Sequence, residues 1–125
     1  MPVTVRVDRS QKLVVTTYSG DVTNEDVSRQ VADIERNAPY DADYRAITDF
    51  TQVTQFEISS DQIRLVAESK SPLEKAHRVM VAPSDVAYGT SRMFQVLAGR
   101  TRPNISVVRN LKEAYQVLGI DKGEL

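Results

Sequence analysis

Ile47-Thr48-Asp49-Phe50-Thr51-Gln52-Val53-Thr54-Gln55-Phe56-Glu57-Ile58-Ser59-Ser60-Asp61 is the stretch on which the reading of this chain turns. It opens as a buried-looking strand, Tyr44 to Phe50. It then passes into a hydroxyl-rich helix start, with the helix running from about Ser60 to Ser69, burying Ile63, Val66 and Ala67, and stopping at Pro72. Strand followed by helix is the unit of a parallel α/β sheet. Such a sheet offers ligands its strand C-termini and the helix N-termini after them, where free backbone N–H groups carry partial positive charge.

Upstream, Val3, Val5 and Val7 alternate with Thr4, Arg6 and Asp8, the period of a half-buried strand. Five polar residues then lead into Leu13 to Tyr18, rich in β-branched side chains, and so short a link predicts an antiparallel hairpin closed by Ser19-Gly20-Asp21. From Thr23 the period lengthens: Val27, Val31, Ile34 and Ala38 line one helical face, Thr23 is the expected N-cap with Asp26 completing a capping box, and Pro39 ends the helix.

Downstream, His77 to Ala82 has strand character. Pro83-Ser84-Asp85 starts a helix to about Ala98, with Gly99 as C-cap and Met93, Val96 and Leu97 facing inward. Pro103-Asn104 turns the chain into a strand, Ile105 to Arg109. Asn110 caps a last helix carrying Leu111, Ala114, Tyr115 and Leu118 on one face, and Gly119 ends it. The predicted order is β-β-α-β-α-β-α-β-α in one α/β domain, residues 1–119, with a loose tail over residues 120–125. Its sheet is mixed, with helices packed on it and right-handed β-α-β crossovers.

Composition narrows the function classes. Sixteen basic and seventeen acidic residues among 125 leave a formal charge of −1, so no bulk field favours nucleic acid. Five tyrosines and three phenylalanines, none alternating with basic residues on a strand, make no stacking platform. Arg100, Arg102, Arg109 and Lys112 read as ordinary basic surface. The absence of cysteine excludes disulfides, thiolate nucleophiles and Cys-based zinc sites, and the lone His77 excludes a His-rich metal site. His77, at a strand start, lies at the sheet end opposite the Ser59 and Ser84 loops, so no triad forms around it. No run reaches membrane-spanning length, Met1 to Asp8 lacks a signal-peptide core, and the mature chain is expected to begin there. The expectation is a cytoplasmic protein with no integral membrane association, no cofactor and no enzymatic activity.

Several motifs carry a family resemblance: Gly20-Asp21-Val22-Thr23 before the first helix, Ile47-Thr48-Asp49-Phe50, and Val53-Thr54 with Phe56 entering the second helix. Ala82-Pro83-Ser84-Asp85 with Tyr88-Gly89 and Arg92-Met93-Phe94 is the most specific group. Over nearly its whole length the chain resembles the STAS-like bacterial proteins called SpoIIAA-like, relatives of the anti-sigma-factor antagonists. The resemblance implies a STAS-type fold and carries little chemistry. Antagonists have an Asp-Ser-Ser-Gly type motif, phosphorylated by a partner kinase. Here the matching positions read Ile58-Ser59-Ser60-Asp61, with acid and glycine replaced, and Asp61 and Glu57 oppose an added phosphate.

Two uses of the sheet edge follow. In the leading reading the protein is a regulatory or signalling interaction module. Ser59 and Ser60 are candidate phosphorylation or partner-binding hydroxyls, and Leu65, off the buried helical face, is a contact for a protein partner or a homodimer. Ser59 followed by Gln62 also reads as a plain capping box. The alternative is a small-molecule or lipid-like ligand binder with a pocket between the second and third helices. Its candidate residues are Asp49, Phe56, Ser84, Asp85, Tyr88, Arg92 and Phe94. Asp49 at a strand C-terminus suits a turn or cap acceptor better than a general base.

Overall fold

The computed structural model describes residues 3–120. In chain order it contains β1 (Val3–Asp8), β2 (Leu13–Thr23), α1 (Asn24–Arg36), β3 (Arg45–Glu57), α2 (Ser60–Glu68), β4 (His77–Val81), α3 (Asp85–Leu97), β5 (Ile105–Val108) and α4 (Leu111–Leu118). The element order is the one the hydrophobic periods predict. The strands form one sheet in the order β1-β2-β3-β4-β5, with β1 antiparallel to β2 and each later neighbour parallel.

That order fixes where the helices go. Each step from β2 to β5 moves the same way along the sheet, so right-handed crossovers place α1, α2 and α3 on one face. Alternation along the strands confirms it. Tyr18, Phe50 and Met80 pack with Val27 of α1, Ile63 and Ala67 of α2, and Ala87 and Phe94 of α3. Leu13, Ile47, Val79 and Val81 point the other way and are covered by Ala114 and Leu118 of α4.

The helix caps follow local chemistry. Thr23 accepts from Asp26 N–H at 3.3 Å while the Asp26 carboxylate accepts from Thr23 N–H at 2.9 Å, closing the expected capping box. Gly119 takes φ +67°, where a Cβ would be strained, and Ile120 N–H reaches Tyr115 O at 2.9 Å, a Schellman end to α4. Ile120 is thereby buried under the sheet, so the predicted loose tail does not begin there. The rest of that tail, residues 121–125, lies outside the described residues.

Several expectations are corrected. Ser19-Gly20-Asp21 does not close β2. The strand runs on to Thr23 through two register shifts, with Gly20 at φ +67° supplying the left-handed conformation one of them needs. β3 likewise continues past Phe50 to Glu57, pairing there with β2 alone because the β4 register stops at Asp49 opposite Val81. Phe56 therefore belongs to this ribbon rather than to the entry of α2.

α1 ends at Arg36 with Asn37 as its cap, so Ala38 is not on its face. The residue before Pro39 is held out of helical backbone. α2 stops at Glu68, capped by Ser69, before Pro72 is reached. On α3 the buried residues are Ala87, Ser91 and Phe94, whereas Met93, Val96 and Leu97 are exposed, and Ala98 rather than Gly99 is the C-cap.

Candidate functional site

Between the sheet and α1, α2 and α3 lies a cavity of about 80 Å³. Tyr18, Thr48, Phe50, Arg78 and Met80 make its floor from β2, β3 and β4. Phe56, Ile63 and Phe94 are among the apolar side chains that close over it. α1 adds Val27, Gln30 and Val31, so the chamber takes a wall from the first helix as well as from the second and third. Lys70 and Pro72, from the connection between α2 and β4, sit at its rim.

The polar groups in this lining are unusual for their charge. The described residues around the chamber include three cations, Lys70, Arg78 and Arg102, and no aspartate or glutamate, in a chain where acids outnumber bases. Arg78 is only 8 % exposed and sits on the interior strand β4, with the same parity as Met80. Neither Arg78 nor Arg102 enters an ion pair among the described residues. Burial pushes the Arg78 guanidinium down to about 10, and the neighbouring Arg102 charge pushes the same way. At neutral pH it is still a cation.

Tyr18 donates its hydroxyl to Gln30 Oε1 at 3.2 Å, and burial drives its phenol up, away from ionisation, against the pull of Arg78. It therefore gives Arg78 no phenolate counter-ion.

Arg102 is 4 % exposed, not the surface residue its surroundings in sequence suggest. It reaches back to the C-terminal end of α2, its Nη1 donating to Val66 O and Ser69 O at 3.1 Å each, and its guanidinium lies 5.6 Å from the Phe94 ring centroid. A cation on the last carbonyls of a helix is well placed against the helix dipole. Burial still lowers its pKa, with Glu74 opposing. Three buried atoms here have no hydrogen-bond partner among the described residues: Arg78 Nη2, Arg102 Nε and Ser91 Oγ. Ser91 is 0 % exposed, on the inward face of α3.

The residues singled out from sequence divide between this chamber and other places. Phe56 and Phe94 line it. Asp49 is buried but outside it, accepting from Thr51 N–H at 2.8 Å in the turn-acceptor role read from its strand end. Ser84 caps α3 through Ala87 N–H at 3.1 Å. Asp85 pairs with Arg109 at 3.0 Å, and the Arg109 guanidinium lies 4.0 Å from the Tyr88 ring centroid. Arg92 is exposed, bonded to Gln95. None of Asp49, Ser84, Asp85, Tyr88 and Arg92 is in the chamber wall.

Ser59 and Ser60 are exposed at the start of α2, where Ser59 Oγ accepts from Gln62 N–H at 3.1 Å and from Asn24 Nδ2 at 3.2 Å. The Gln62 amide does not reach back to complete a capping box. It crosses to Asn24 O and Ser28 Oγ, tying α2 to α1. Leu65 is 64 % exposed.

At the opposite end of the sheet His77 Nε2 lies 3.2 Å from Ser106 Oγ, in a broad polar depression with Asp43, Lys75 and Asn104. Among the described residues no carboxylate bonds to the His77 ring.

No family model matches the chain, and no curated protein matches it. Among solved structures, an uncharacterized protein of the DUF3478 family with a SpoIIAA-like fold, from Shewanella loihica PV-4, aligns over 93 % of each chain, with 15 % identity and a TM-score of 0.58. The fold is therefore SpoIIAA-like: a five-stranded mixed sheet with four helices in the same strand and helix order. No helix of the described residues is long and apolar enough to cross a membrane.

Proposed function

We propose that this protein is a non-enzymatic binding module that takes a small molecule with an apolar body into the chamber beneath α1, α2 and α3. One observation carries the reading: a cavity of about 80 Å³ walled by Phe50, Phe56, Phe94, Met80 and Ile63, with a few polar groups set among them. An apolar pocket with a small number of convergent polar groups is the usual form of a small-molecule site. A filled core would have no such space, since protein interiors pack at crystal-like density.

The methionines provide an internal test. Met80 lines the chamber and Met93 is exposed on α3. In protein labelled with ¹³C at the methionine methyls, titration with hexan-1-ol and with hexanoate should move the Met80 signal saturably and leave Met93 in place. A Met80 signal unmoved by both probes at millimolar concentration would overturn the reading.

The second reading, a protein-interaction module, rests on the apolar side chains on the packed pair α2 and α3, Leu65 at 64 % and Val96 at 74 % exposure with Met93 and Leu97 beside them in sequence. The two uses are compatible, because the chamber lies on the inner faces of these helices and Leu65 and Val96 lie on the outer ones.

A further inference from the structure

The chamber's polar groups point to the chemistry of its occupant. Its floor holds a buried guanidinium that no carboxylate among the described residues meets, and its described lining contains cations without acids. Buried charges are ordinarily paired or hydrogen-bonded, because an isolated ion in an apolar surrounding loses its hydration without replacement. Arg102 has an account within the fold, since its Nη1 serves the carbonyl end of α2 and Glu74 offsets its charge. Arg78 has none. Among the described residues no side-chain hydrogen bond joins it to the protein, its Nη2 is buried without an acceptor, and Arg102 Nε and Ser91 Oγ are two further buried groups of the same chamber without a partner.

We infer that the chamber binds a short-chain aliphatic monocarboxylate, its carboxylate paired with Arg78 and its chain lying against the aromatic wall of Phe56 and Phe94. This rests on the reading of the chamber as a binding site and adds the nature of the head group. Four observations select that class. Lys70 is exposed to water and Arg102 serves the end of α2, so the one buried charge left without an account is that of Arg78, which asks for one negative charge. A carboxylate has two oxygens and about four lone-pair sites, enough for Arg78 Nη2, Arg102 Nε and the Ser91 hydroxyl together. The rest of the lining is mainly apolar, which disfavours a polyhydroxylated or multiply charged molecule. Volume sets the scale: about 80 Å³ is roughly half the 150 Å³ of a cavity that takes benzene, so it encloses a carboxylate and the first few carbons of a chain of about four to six carbons running from Arg78 toward Phe56.

The test compares three probes with one hexyl chain and different heads, hexanoate, hexan-1-ol and hexyl phosphate, followed at the Met80 methyl in wild-type protein and in Arg78→Met. Wild type should bind hexanoate at least about tenfold more tightly than hexan-1-ol, as a charge-assisted pair in a dry site requires. In Arg78→Met the acid should lose that advantage while the alcohol binds as before. Arg78→Lys, which keeps the charge without the planar fork, should retain part of the preference and guards against a misfolded methionine variant.

Equal binding of acid and alcohol to wild type would overturn the carboxylate assignment and leave the chamber as a binding site. Tighter binding of hexyl phosphate than of hexanoate would overturn it in favour of a phosphate head. A Met80 signal unmoved by all three probes would overturn the inference together with the function on which it rests.

Discussion

Arg78 illustrates how a single position can set stability against function. Its guanidinium is held at about 10, well below its ordinary value, because burial removes water from it and Arg102 repels it. The sign follows from linkage. The native state holds this proton less tightly than the unfolded chain does, so the charge penalises folding at every pH below about 10, and the penalty is relieved as pH rises above about 10 toward the ordinary guanidinium range. A gap of that size corresponds to about 3 kcal/mol at neutral pH. Arg78→Met, similar in length and apolar, should therefore stabilise the free protein by about 1–3 kcal/mol, read as a higher urea midpoint with an unchanged slope. Arg102→Met should do the opposite and cost about 1.5–3 kcal/mol, because it strips charged hydrogen bonds from the end of α2. A destabilised Arg78→Met would show that Arg78 is satisfied by the fold. Half of this contrast is legible in the sequence: Arg78 shares parity with Met80 in an interior strand whose last three residues, Val79 to Val81, are apolar, where parallel strands run hydrophobic on both faces. Arg102 is not legible, since the carbonyls it serves are more than thirty positions away.

Elements whose boundaries are set by neighbours in sequence are the ones the sequence describes well. The capping box of Thr23 and Asp26, the Asn110 cap and the Gly119 end all involve residues within a few positions of one another, and each forms where the local chemistry places it. Thr23→Ala should cost about 1 kcal/mol, since the hydroxyl accepts from Asp26 N–H at an otherwise orphan donor; a change within experimental error in urea unfolding would contradict that role. Elements set by distant partners are described less well. The ribbon beyond Phe50 exists because β3 finds the extended end of β2, and nothing within Thr51 to Glu57 announces that partner. On α3, apolar residues occupy most of the circumference, from Val86 and Ala87 through Met93 and Phe94 to Val96 and Leu97, so periodicity alone does not choose a face. Packing against α2 and β5 chooses the face of Ala87, Ser91 and Phe94, and the small Ser91 leaves room where a larger residue would fill the chamber.

At the scale of the whole molecule, the one-directional strand order concentrates three helices on one face and leaves α4 to cover the other. This asymmetry creates the chamber, because α1 packs on β1 and β2 while α2 packs on α3, and the two groups meet over β3 and β4 around Arg78. Sequence reasoning looks for a site at the sheet's C-terminal edge, on the strand-to-helix junctions of Ser59 and Ser84. Those hydroxyls are engaged as caps, and the chamber lies deeper, under the helices, with Phe56 and Phe94 common to both accounts. A ligand held there bridges sheet and helices and should raise the melting temperature, the stabilisation growing with the logarithm of ligand concentration above Kd. The most direct measurement is a crystal structure of the protein grown with a bromine-labelled hexanoate, in which anomalous scattering locates the chain end without ambiguity. A bromine peak within the chamber toward Phe56, on the side away from Lys70 and Pro72, with the carboxylate within hydrogen-bond distance of Arg78 Nη2, is the predicted result. Ordered water alone around Arg78, with bromine only on the outer surface of the helices, would contradict it.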